Sequence, residues 1–176
     1  MPHPDSRPVL HLMQGLPAAG KTTLARKLMA NADRPVRYVG LDSLRLMLDG
    51  QTPTAWWDVG VEESTARAQA ALVATLLADG CDVLVDGTHV SPAQVAPLRQ
   101  AVAGLRFTVR VHVLPTPVDV CVARDAGRPH PIGAACIRRL AAERDVADGS
   151  GWRLTGEWLG MTSRPLVAPQ PASSAI

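Results

Sequence analysis

The chain is predicted to fold as an α/β domain: a parallel sheet of about four strands with helices on both faces. Three observations carry that expectation. Short apolar runs alternate with longer amphipathic stretches along most of the 176 residues, and strands joined through helices pair in parallel. Turn and cap residues punctuate the alternation. The octet Gly15-Leu16-Pro17-Ala18-Ala19-Gly20-Lys21-Thr22 joins the first apolar run to the first amphipathic one. Its spacing, G-x-x-x-x-G-K-[ST], is that of a phosphate-binding loop.

The elements follow in order. The first strand is expected over 8–14, around Val9-Leu10-His11-Leu12-Met13, and a helix over 20–31 leaves the loop. The second strand spans 36–40 and leads into a helix over 42–49. A longer helix over 61–79 ends at Gly80, and the third strand occupies 82–86. A helix over 92–103 runs from Ser91-Pro92 to Gly104, and the fourth strand spans 107–114. Helices over 117–126, opened by Thr116-Pro117, and over 132–147 complete the domain. Each hydroxyl–proline pair places a cap before a proline at the first helical position. Gly80 and Gly104 stand where a left-handed residue closes a helix. Residues 1–7 read as a loose leader, 8–162 as one domain, and the Pro-, Ala- and Ser-rich 163–176 as a disordered tail.

Composition narrows the class. With 47% hydrophobic and 19% charged residues, the balance is that of a soluble globular protein. No apolar run approaches the roughly 18 residues of a membrane span. The N-terminus shows no apolar signal segment, so a cytoplasmic protein without a membrane partner is expected. The three cysteines, at 81, 121 and 136, include no C-x-x-C pair, which argues against a disulfide framework and a zinc site. A net charge of +2 neither demands nor excludes a nucleic-acid partner.

Ligands of parallel sheets bind beyond the carboxyl ends of the strands, so the residues after each strand matter most. After the first, backbone N–H groups of Gly15, Ala18, Ala19, Gly20, Lys21, Thr22 and Thr23 are placed to wrap nucleotide phosphates at a helix N-terminus. Lys21 can reach the β- and γ-phosphates, and the Thr22 hydroxyl can ligate Mg²⁺. After the second strand, Asp42 and Arg45 share a helix face three residues apart. Asp42 either accepts a proton from an attacking hydroxyl or simply caps the helix. Arg45 either holds an anionic group of the same substrate or is a solvated charge. The third strand ends in Asp86, a position that orients Mg²⁺, and is followed by Gly87-Thr88-His89. His89 reads as a structural hydrogen-bonding residue rather than a catalytic one. Beyond the fourth strand, Arg124 and Arg128 flank a breaker-rich segment, and Arg138, Arg139 and Arg144 follow. That pattern suggests a lid bringing guanidinium groups over phosphates, where charge counts most in phosphoryl transfer. Trp56-Trp57 lies beside the acceptor side and either stacks on a base or anchors a loop.

Taken together, these residues resemble the 5′-hydroxyl polynucleotide kinase family within the P-loop kinases. The match runs in order through Gly15–Thr23, Asp42-Ser43-Leu44-Arg45, Val85-Asp86-Gly87-Thr88-His89-Val90 and Cys121–Arg128, and covers about 8–145. The resemblance implies a P-loop NTPase fold with an arginine-bearing helical lid, and ATP with Mg²⁺ as donor and metal. It makes Asp42 the general base and Arg45 the ligand of the acceptor's adjacent phosphate. Arg128, with Arg124, would bridge donor phosphates, and Asp86 would lie near the metal or organise the arginines. Thr88 and Trp57 complete the acceptor-binding set. His89 departs from the family, which has Asn there.

The function expected is therefore transfer of the ATP γ-phosphate to a nucleic-acid hydroxyl, most simply a 5′-OH end. A kinase for a small-molecule hydroxyl, such as an antibiotic, a sugar or a nucleotide sugar, is the alternative. A non-catalytic ATP-binding switch fits less well, because it has no need of Asp42 and Arg45 beside an acceptor.

Overall fold

Residues 7–49 and 59–160 are described in the computed structural model. The apolar runs form β1 (Val9–Gln14), β2 (Val36–Gly40), β3 (Asp82–Asp86) and β4 (Thr108–Val113). All pairings are parallel, in the order β2-β3-β1-β4. The helices are α1 (Lys21–Ala30), α2 (Leu41–Asp49), α3 (Val59–Ala78), α4 (Pro92–Ala101), α5 (Val118–Ala126) and α6 (Ala134–Gly149). Each element lies within two residues of its expected bounds.

Strand alternation decides which helix packs where. Leu10, Leu12, Val83 and Val85 face one side and are buried with Val73 and Leu77 of α3 and Val95 and Leu98 of α4. Leu154 and Leu159 close that core from the C-terminal side, with Trp152 and Trp158 packed against it. The intervening residues Met13 and Leu84 face the other side, against Ala25, Leu24 and Leu28 of α1. Each fully buried Leu or Val contributes about 1.5–3 kcal/mol, so a register slip that turned these faces over is strongly disfavoured. A third cluster joins Leu16 and Ala19 of the loop after β1 to Cys121 of α5 and Ile137 and Leu140 of α6. This cluster seats the glycine-rich loop on the α5–α6 hairpin. Cys121 is buried, whereas Cys81 and Cys136 are partly accessible; all three are free thiols.

Gly80 and Gly104 do adopt left-handed angles, φ 78° and 82°. The two expected caps do not form. Ser91 is the N-cap of α4 but makes no side-chain capping bond; its hydroxyl donates instead to Glu143 of α6. Pro117 is itself the N-cap of α5, and the Thr116 hydroxyl donates to the Ala19 carbonyl at 3.0 Å. In both places a tertiary partner outcompetes the local one. The hydroxyls tie α4 to α6, and the loop after β4 to the glycine-rich loop. Among the described residues, no helix is long and apolar enough to cross a membrane. The proposed tail, 163–176, and most of the proposed leader lie outside the described residues.

Candidate active site

The loop after β1 folds where backbone meets backbone. A Cβ on Gly15 would stand 3.0 Å from the Leu114 carbonyl oxygen, so only glycine fits there. Gly20 takes φ 103°, and Ala18 is held at φ 59°. A non-glycine residue in that left-handed region is strained, and such strain concentrates at functional loops. The Gly15 N–H donates to the Thr88 carbonyl at 2.9 Å, which fastens the loop to the turn after β3.

Lys21 opens α1 and is only 8% exposed. Its ammonium donates to the Gly15 and Leu16 carbonyls at 3.0 and 2.8 Å. Burial lowers its pKa to about 8, partly opposed by the Asp86 carboxylate. Thr22 Oγ1 donates to Asp86 Oδ2 at 2.7 Å, and the Tyr38 hydroxyl donates to the same oxygen at 2.9 Å. Burial and that carboxylate push the Tyr38 pKa up, which keeps the phenol protonated as a donor. Thr22 and Asp86 are hard oxygen donors side by side, the donor type a Mg²⁺ ion takes alongside waters and phosphate oxygens. Tyr38 was not singled out in the sequence. The signal was present, since a tyrosine two residues before the end of a strand faces the same side as the next strand's terminal residue.

His89 is confirmed as an interior residue, 3% exposed with φ 46°. Its Nδ1 lies 2.7 Å from the Met13 carbonyl. Burial lowers its pKa, so it is neutral, and Nδ1–H donates to that carbonyl. Its own carbonyl accepts from Gln14 Nε2 at 3.0 Å. The ring fills the space over Gly87, where a Cβ would come within 2.8 Å of it. His89 therefore joins the turn after β3 to the end of β1.

Asp42 and Arg45 meet on α2. Arg45 Nη1 donates to Asp42 Oδ1 at 2.6 Å. The larger partner of Arg45 is Glu62 of α3, which accepts from Nε at 2.7 Å and from Nη2 at 2.6 Å. Burial disfavours the guanidinium charge, but Glu62 and Asp42 outweigh that and raise its pKa. Sequence reasoning missed Glu62, because a carboxylate 17 residues away on another helix leaves no local pattern. The Asp42 side chain is 71% exposed and Arg45 13%. Thr88 faces the cleft, but its hydroxyl is given to Gln94 Oε1 at 2.6 Å, and Gln94 also accepts from the Val90 N–H at 3.1 Å. Trp56 and Trp57 lie outside the described residues.

Arg124 and Arg128, from α5 and the connection after it, line the same cleft as the loop. Arg128 Nη1 is 3.5 Å from Asp125 Oδ1. The cleft measures about 1890 Å³ and is bordered by Lys21, Thr22, Asp86, Asp42, Arg45, Glu62 and the two lid arginines. Single-ligand pockets hold roughly 300–1,000 Å³, so the space suits a donor and an acceptor together.

A glycine-rich phosphate loop at the carboxyl end of β1, an aspartate at the end of the adjacent β3 and a helical hairpin packed against the loop define a P-loop nucleotide-binding fold of the kinase-like type. The chain belongs to the AAA domain family, whose model matches residues 10–146. No curated protein matches the chain. Among solved structures, it is similar to a chain of the Pnkp1/Rnl/Hen1 RNA repair complex (TM-score 0.65, 22% identity, 85% of this chain and 48% of that one). It thus spans about half the length of that relative. It is also similar to the Mycobacterium tuberculosis APS kinase CysC in complex with AMPPNP and APS (TM-score 0.55, 21% identity, 69% and 70% covered). A third similar structure is a sugar kinase from Janibacter sp. HTCC2649 (TM-score 0.54, 16% identity, 78% and 77% covered). At these identities the likeness is one of fold.

Proposed function

We propose that the protein is an ATP-dependent kinase that transfers the γ-phosphate to a nucleic-acid hydroxyl, a 5′-OH end, with Asp42 as general base. The observation that carries this reading is that the Lys21 loop and the Asp42–Arg45–Glu62 unit border one cleft that Arg124 and Arg128 also line. In the step proposed, the acceptor oxygen bonds to the γ-phosphorus, the bond from that phosphorus to the β,γ-bridging oxygen breaks, and ADP leaves. The acceptor's proton passes to an Asp42 carboxylate oxygen.

Each chain residue has a task in that step. Lys21 and the loop N–H groups hold the donor phosphates. Thr22 and Asp86 would hold Mg²⁺, whose chemistry is to offset charge on the phosphate oxygens. Arg124 and Arg128 meet the charge that spreads over the transferring group. Arg45, clamped by Glu62, turns toward a phosphate beside the reacting hydroxyl. The solved structures of similar fold include a chain of an RNA repair complex, which favours a nucleic-acid acceptor. The compartment proposed is the cytoplasm.

A second reading, a small-molecule alcohol as acceptor, draws on a different observation. Two carboxylates, Asp42 and Glu62, already share the Arg45 charge, so the acceptor end is less cationic than a polyanion site needs to be. Labelled-phosphate transfer from ATP to a panel decides between them: 5′-OH DNA, 5′-OH RNA, hydroxymethylated bases and a metabolite pool. Label on a 5′-OH oligonucleotide supports the first reading. Label only in the metabolite pool replaces it with the second.

A further inference from the structure

Asp125 lies in the last turn of α5, at the foot of the seven-residue connection that carries Arg128 and His130 to Gly133. It is 1% exposed, a depth at which a carboxylate needs both hydrogen bonds and a cation. Its Oδ2 accepts from the Gly133 N–H at 2.9 Å. That bond closes the connection on itself, because Gly133 is the N-cap of α6 with φ 90°. Its Oδ1 accepts no hydrogen bond among the described residues. The cation facing it is Arg128, whose Nη1 stands 3.5 Å from Oδ1 and whose side chain is 45% exposed. The Arg128 N–H also donates to the Asp125 carbonyl at 3.0 Å. One edge of the Arg128 guanidinium is therefore turned to a buried charge while the side chain borders the cleft.

We infer that Asp125 is a positioning residue for Arg128: its carboxylate holds the lid connection through Gly133 and presents the guanidinium to the phosphates of a nucleotide. The fork of an arginine carries five N–H donors in a fixed plane. Anchoring one edge orients the remainder and removes part of the rotamer freedom that phosphate binding would otherwise cost. The Asp125–Arg128 contact is an ion pair along one edge, and the other N–H donors of the fork stay available to an anion. The inference rests on the proposed role of Arg128 at the donor phosphates. It does not involve the acceptor.

The test is equilibrium binding of ATP with Mg²⁺ to the wild type, Asp125→Asn, Arg128→Ala and the double variant. Asn keeps an oxygen for the Gly133 N–H and puts an uncharged amide nitrogen in place of the oxygen that faces Arg128. The expected result is an affinity about 3- to 5-fold weaker for Asp125→Asn, the upper end of what a partly exposed ion pair contributes. In the Arg128→Ala background the same change should have no further effect. Unchanged affinity in Asp125→Asn overturns the inference. So does the same fold-loss in both backgrounds, which would mark a purely structural role. If Asp125→Asn does not fold, thermal melting of Arg128→Met decides. A lower Tm is expected, since the buried carboxylate loses its cation, and an unchanged Tm overturns the pairing. A transfer panel that finds no acceptor leaves this binding cycle readable, so the two failures are distinguishable.

Discussion

At the proposed donor end of the cleft, Lys21 is 8% exposed and bonded to backbone carbonyls, and Asp86 is also 8% exposed and holds two hydroxyls. At the proposed acceptor end, the Asp42 side chain is 71% exposed, and Arg45 is held by side chains from two helices. The donor end is fastened to the main chain of β1 and β3 by Gly15, His89 and Gln14. Its groups cannot move without the sheet. The proposed acceptor end is held by ion pairs between side chains: the exposed Asp42 arm contributes little to stability, and the bidentate Arg45–Glu62 pair joins α2 to α3. A fold built this way can exchange its acceptor side chains and keep its phosphate loop.

That contrast can be broken by substitution, and Lys21 at the proposed donor end should respond strongly. Lys21→Ala is expected to lower phosphoryl transfer by about 10³-fold, the scale of losing a preorganised charge at the transferring group. Single-turnover transfer with the fold verified by circular dichroism checks it. Near-normal transfer would remove the loop from the chemistry.

Next comes the acceptor clamp. Glu62→Gln frees Arg45 from its bidentate partner and is expected to raise the acceptor KM about 10-fold while leaving ATP affinity unchanged. Steady-state kinetics with each substrate varied in turn provides the check. A matching loss in ATP affinity would mean the two ends are not separable as described.

A smaller effect is expected away from the cleft. His11 on β1 and His112 on β4 lie 3.0 Å apart, Nδ1 to Nε2, with rings within 8° of parallel. Burial lowers both pKa values, aided for His11 by His112 and for both by Arg110, with Asp82 opposing for His11. The unfolded chain then binds more protons than the folded one below about pH 6.5. Stability should be fully present above that pH and decline as the pH falls through the folded values. Urea melts between pH 5 and 8 read this out, and His112→Gln should flatten the slope. The smallest change expected is Tyr38→Phe, which removes one of two donors to Asp86 and should cost about 1 kcal/mol of stability, measured by thermal melting.

The sheet, the helices and the phosphate loop were legible because their signals are local. Apolar runs alternate with helical spacing, Gly80 and Gly104 end helices, and eight consecutive residues spell the loop. Glu62 was not legible, because its partner Arg45 stands on another helix, and Tyr38 shows only as strand alternation toward Asp86. Gln94 and Asp125 act on near neighbours, Thr88, Val90, Arg128 and Gly133, but in turns that no residue spacing spells out. Ser91 and Thr116 show the same limit from the other side. Both precede prolines and read as caps, yet Glu143 and the Ala19 carbonyl claim their hydroxyls. Thr88, placed at the acceptor from its turn, is committed to Gln94. The role proposed for Asp42 rests on its position after β2, not on any contact that separates it from a helix cap.

Asp42→Asn therefore tests the central claim most directly, with ATP affinity and single-turnover transfer measured side by side. The substitution is nearly isosteric and leaves no base at neutral pH. The account predicts ATP affinity within about 2-fold of wild type and a transfer rate lower by about 10²–10⁴-fold, the usual contribution of a general base. A variant that loses ATP affinity yet transfers phosphate at the wild-type rate would contradict it.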